Sequence, residues 1–112
     1  MPRYLISFDD GTMNIPEEDL PEVGKAAHEV VQEAKDAGVW VTGGGVESQK
    51  ASVVATDGSI TEGPYPETKA VIGGFVIIDV PSREEALTWA TKFASACRGA
   101  QEVRELGPDP NV

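Results

Sequence analysis

Gly74-Phe75-Val76-Ile77-Ile78-Asp79-Val80, followed at once by Pro81-Ser82-Arg83-Glu84-Glu85-Ala86, is the stretch on which the fold turns. The first run is nearly all apolar, as a strand covered on both faces must be, and predicts a central strand. Ser82 and Glu85 stand at the spacing of a capping box, in which each side chain satisfies a backbone N–H of a helix's first turn. Ala86, Ala90, Phe93 and Cys97, joined by Leu87, Trp89 and Ala94, then recur at helical intervals. A central strand therefore runs directly into an amphipathic helix, which Gly99 ends. Residues 100–106 supply a last strand, and Gly107-Pro108-Asp109-Pro110 cannot continue it.

Upstream, Gly63-Pro64-Tyr65-Pro66-Glu67-Thr68-Lys69 is a proline-restricted loop. Before it, residues 51–56 and 59–62 flank Asp57-Gly58, a strong hairpin turn pair. Val39 to Thr42 is a short β-branched and aromatic run, and Gly43-Gly44-Gly45 after it reads as a bend between strands. Between Pro16 and Ala37 the residues Leu20, Val23, Ala27, Val30, Val31, Ala34 and Ala37 form one helical stripe, with Pro21 suited to the first turn and Gly38 to the stop. Arg3 to Phe8 alternates and meets the turn cluster Asp9-Asp10-Gly11, so the chain opens on a strand.

The order β-α-β-β-α-β, with an extra hairpin arm, is that of a ferredoxin-like split βαβ arrangement, an α+β fold with an antiparallel sheet. Helices cover one face of such a sheet. The apolar residues on both faces of the central strand predict that a second copy covers the other, giving a homodimer. Neither a repeat nor a linker divides residues 1–112, which are read as one domain.

The net charge of -10, from 19 acidic and 9 basic residues, argues against nucleic acid and anionic membranes as partners. There is no run of about 18 apolar residues and no apolar signal core after Met1, so a cytoplasmic protein is expected. Cys97 is the sole cysteine, which fits a reducing compartment and rules out an internal disulfide. One histidine and one cysteine give no metal-ligand spacing, so no metal is expected. The glycine triplet opens no helix and is followed by no Lys-Ser/Thr, so it is not a phosphate cradle, and no cofactor is expected.

His28 is the one side chain that exchanges protons near neutrality without help. It lies one step off the helix stripe, at the edge of the buried side, and Gly24 one turn earlier leaves room beside it for a ring or a ligand. Asp79, Asp9 and Asp10 are the carboxylates at strand ends that could orient the imidazole; their alternative roles are solvated strand-end and turn residues. Tyr65, Glu67, Thr68 and Lys69 stand at the bend of the rigid loop, where site-bordering residues often sit, with packing of the loop onto the sheet as the alternative. Tyr65, Thr68 and Phe75, with Gly24, are the candidate ligand-contacting residues. Cys97 reads as a small buried apolar residue, and Trp40 and Trp89 as core or interface anchors.

Glu62-Gly63-Pro64-Tyr65, Glu67-Thr68-Lys69, Gly73-Gly74-Phe75, Asp79-Val80, Glu84-Glu85-Ala86-Leu87 with Trp89-Ala90, and Glu102-Val103-Arg104 together resemble the landmarks of the DGPF branch of YCII-related proteins. Glu62 stands for the eponymous aspartate and Tyr65 for the phenylalanine. The resemblance implies a dimeric α+β barrel with a cleft in each subunit. In the family this chain resembles, some relatives are associated with sigma factors and at least one branch removes a halide from a ring substrate. The resemblance also implies a helix histidine, matched by His28, and an aspartate after the Trp-Ala helix segment, where this chain has Phe93-Ala94 instead. Two functions follow as expectations. One is a cofactor-free enzyme acting on a small molecule, with His28 as acid/base in an elimination, isomerisation or decarboxylation. The other is a non-catalytic module that binds a metabolite or a protein.

Overall fold

A computed structural model describes residues 2–9, 14–46, 51–62 and 72–111. The elements in chain order are β1 (Arg3–Asp9), a 3-10 turn (Glu17–Asp19), α1 (Leu20–Asp36), β2 (Trp40–Gly45), β3 (Ser52–Val54), β4 (Ile60–Glu62), β5 (Ile72–Asp79), α2 (Arg83–Cys97) and β6 (Glu102–Glu105). Four strands form an antiparallel sheet in the order β2-β5-β1-β6, while β3 and β4 pair as a separate hairpin. With the hairpin set aside, this is the ferredoxin-like order, and β5 lies inside the sheet between β2 and β1 as its apolar run requires.

Register decides which side chains meet the helices. Tyr4 pairs with Ile78, Ile6 with Val76 and Phe8 with Gly74, so these share a face. Tyr4, Ile6 and Ile78 pack with Ala86, Ala90 and Phe93 of α2, which identifies that face as the covered one. Val103 joins it from β6, opposite Ile6. Leu5, Ser7, Phe75, Ile77 and the Arg3–Asp79 pair therefore lie on the face without helices.

The helices begin and end for local reasons. Ser82 Oγ accepts from the Glu85 N–H at 3.3 Å, capping α2. Gly38, at φ +75, follows the end of α1. The α2 terminus differs from expectation: the left-handed residue is Arg98, at φ 55, and Gly99 only donates its N–H back to the Ala94 carbonyl at 3.1 Å. Arg98 is held there by Asp19, whose Oδ2 lies 2.9 Å from Nη1, and by Glu22 at 3.8 Å, both at the start of α1.

The glycine triplet corrects a second expectation. Gly43, Gly44 and Gly45 are not a bend; they continue β2 and pair with Val76, Phe75 and Gly74. Gly43 is imposed by packing, because a Cβ there would stand 2.7 Å from the Phe75 carbonyl oxygen and 2.9 Å from the Trp40 ring. The β3–β4 hairpin turns at Gly58, φ +87, and Asp57 Oδ1 accepts the Ser59 N–H at 2.9 Å.

Candidate functional site

Between α1 and the covered face of the sheet lies a cavity of about 440 Å³, within the usual range for small-molecule sites. Its roof is the α1 face made by Leu20, Val23, Gly24, Ala27, His28 and Val31, spaced three and four residues apart so that they fall on one side of the helix. Ile6 and Phe8 of β1, Val76 of β5, and Trp40 with the three glycines of β2 form the floor. Phe93 and Cys97 at the end of α2, and Gln101 just before β6, close one side.

The cavity exists because side chains are missing from two facing walls. A Cβ built on Gly24 or Gly45 meets nothing within 4 Å. Glycine inside a helix costs about 1 kcal/mol against alanine, and no neighbour forces it at Gly24. Gly45 pairs with Gly74, which shares the covered face, so a side chain at Gly45 would point into the same space.

Among the described residues the lining is almost free of polar groups. His28 is solvent-exposed while also bordering the cavity, so its imidazole stands at the mouth. Gln101 is half-buried, and its Nε2 donates to the Gly99 carbonyl at 3.2 Å. Burial pushes the Cys97 thiol above its ordinary range, keeping it protonated and unreactive at neutral pH. Among the described residues no Lys, Arg, Asp or Glu lines the cavity, nor does any group of three or more His, Cys, Asp or Glu gather to hold a metal.

The residues singled out from sequence are brought together in part. His28 and Gly24 share the roof. Phe75 borders the cavity, but its side chain belongs to the opposite face by register, so the backbone is what it offers. Asp79 lies on that opposite face beside Arg3, whose Nε is 3.9 Å from Oδ2. By register the Asp79 side chain is directed to the face of the sheet away from α1 and His28. Asp9 ends β1 at the far end from the Arg3–Asp79 pair, six strand positions or roughly 20 Å away; it is not part of the lining. Tyr65, Thr68 and Asp10 lie outside the described residues, as do Glu67 and Lys69. Trp40 and Trp89 both pack against the core, and Trp40 also lines the cavity. Gln101 was not anticipated, because its position depends on where α2 delivers the chain to β6 and no local pattern marks it.

Residues 4–108 match the YCII-related domain family. No curated protein matches the chain. Among solved structures, the 5-chloro-2-hydroxyhydroquinone dehydrochlorinase of Burkholderia phenoliruptrix AC1100, in complex with 2,5-dihydroxybenzoquinone, is similar over 99% of this chain and 98% of that one, with a TM-score of 0.55 and 16% identity. At that identity the likeness establishes a shared fold.

Proposed function

Because the chain belongs to the YCII-related domain family, we propose that it is a cofactor-free small-molecule enzyme in which His28 passes a proton in an elimination, isomerisation or decarboxylation. The observation that carries this reading is a ligand-sized apolar cavity with one proton-exchanging side chain at its mouth. In an elimination the neutral imidazole takes a proton from a C–H or O–H next to a carbonyl. The electron pair left behind forms the new double bond, and the leaving group departs with its own pair. The imidazolium then returns its proton to the leaving group or to water, which its exposure permits.

The dehydrochlorinase named above supplies a first substrate class to try, chlorinated hydroxyquinols. Chloride release and NMR of the ring protons would follow turnover. His28→Ala is expected to lower the rate by about 10² or more with an unchanged melting temperature, since the side chain is exposed. A variant that turns over as fast as the parent would remove His28 from the reaction.

One observation favours the second reading, a non-catalytic binding module: no carboxylate among the described residues shares the cavity to orient the imidazole. Tight binding without conversion, undiminished in His28→Ala, would decide for it. Under either reading we take residues 1–112 as one cytoplasmic domain. We also take Tyr65 and Thr68, with the backbone of Phe75, to border the ligand, and the sheets of two copies to face one another in an α+β barrel. The apolar row Leu5, Phe75 and Ile77 on the helix-free face supports that assembly.

A further inference from the structure

The chemistry of the lining defines the ligand more narrowly, an inference that rests on the cavity being a ligand site. A quarter of the chain is charged, yet among the described residues none of that charge reaches the cavity wall. A carboxylate or phosphate seated against Gln101, away from His28, would give up its hydration with no cation among the described residues to replace it, which is prohibitive beside apolar side chains. A hydroxyl or carbonyl needs one neutral partner. Gln101 provides it: with one N–H occupied by the Gly99 carbonyl, the carboxamide is oriented and keeps its oxygen and its second N–H for another molecule. It can therefore accept from a hydroxyl or donate to a carbonyl. His28 offers the same choice from α1.

We infer that the ligand is an uncharged, ring-sized molecule with a hydrogen-bonding group at each end, one met by His28 and the other by Gln101, and that Gln101 is the residue that selects for neutrality at its end.

Three ring probes of matched shape test this on the full chain, with binding followed by NMR titration. 4-Hydroxybenzyl alcohol has two neutral polar ends, 4-cresol replaces one by a methyl group, and 4-hydroxybenzoate replaces it by a carboxylate. The alcohol is expected to bind best, 4-cresol about three- to tenfold more weakly for the loss of one neutral hydrogen bond, and 4-hydroxybenzoate at least about tenfold more weakly. Gln101→Leu should bring the alcohol down to the level of 4-cresol and leave 4-cresol itself unchanged. Retained 4-cresol binding shows that the variant is folded with its cavity intact, and Gln101→Met must give the same pattern. Tightest binding by 4-hydroxybenzoate, or equal weakening of the alcohol and 4-cresol in both variants, overturns the assignment while leaving the cavity as a site. Gly45→Trp separates the two levels, because a bulky side chain there projects from β2 into the space beneath α1, at the sheet edge opposite to β6 and Gln101. Binding that survives this change lies elsewhere on the protein, and that result, like failure of all three probes to bind the parent chain, overturns the ligand-site reading as well.

Discussion

A methyl group added at Gly43 would stand 2.7 Å from a backbone oxygen and 2.9 Å from a packed indole, whereas one added at Gly24 meets nothing within 4 Å. The two substitutions therefore carry opposite signs. Gly43→Ala should destabilise the protein by about 1–3 kcal/mol, because the Phe75 carbonyl cannot retreat without breaking strand pairing. Gly24→Ala should stabilise it by about 0.5–1 kcal/mol, through the conformational entropy that a helix-interior glycine gives up, while narrowing the cavity. Urea denaturation of both variants measures the pair, and a destabilised Gly24→Ala would mean that the glycine serves packing and not an open site. His28 and Gly24 could be read from sequence because both stand at the edge of one helical stripe, one turn apart, and their relation is local. The role of Gly43 could not be read, since what demands glycine there is an oxygen on another strand and a tryptophan ring brought close by a register shift between Trp40 and Thr42.

At the level of elements, the end of α2 sets two effects against each other. Arg98 occupies a left-handed conformation that costs a non-glycine residue roughly 1 kcal/mol, and its bridges to Asp19 and Glu22 are half-exposed, each contributing about 0–1 kcal/mol. Arg98→Gly relieves the first and removes the second. The melting temperature should change little at low salt and rise at high salt, where screening has already weakened the bridges in the parent. A salt-independent loss of stability would show that the α1–α2 connection outweighs backbone strain. The position of β5 was legible because a strand flanked on both sides by others is apolar throughout. That same completeness concealed which face the helices cover. Phe75 and Ile77 are as apolar as Val76 and Ile78, and only pairing with β1 assigns the second pair to the core. The sequence alone therefore leaves open that the side chains of Asp79 and Phe75, sharing one parity, are directed away from the face that α1 covers.

The whole molecule is a slab, 19 Å in its shortest dimension, which is the depth of one sheet and one layer of helices. Its radius of gyration of 15.6 Å exceeds the roughly 13 Å of a compact chain of this length. The helix-free face carries Leu5, Phe75 and Ile77 along its centre, with Arg3 and Asp79 at one end and Arg104 and Glu102 on β6. An apolar centre bordered by charges of both signs is self-complementary under a two-fold axis, which needs a single patch to serve both partners. Opposing this is the net charge of -10 on each copy, a long-range repulsion that salt screens while the apolar contact persists. The affinity of the proposed dimer should therefore increase between about 0.05 M and about 0.5 M salt, opposite to an interface held by ion pairs. Ile77→Glu places a charge in the centre of the patch without entering the core behind it, and should weaken association by about 10² or more with the circular dichroism spectrum retained. Sedimentation equilibrium reads both effects. A parent chain that remains monomeric at high salt, or an Ile77→Glu variant that dimerises as well as the parent, would mean that this face is not where two copies meet.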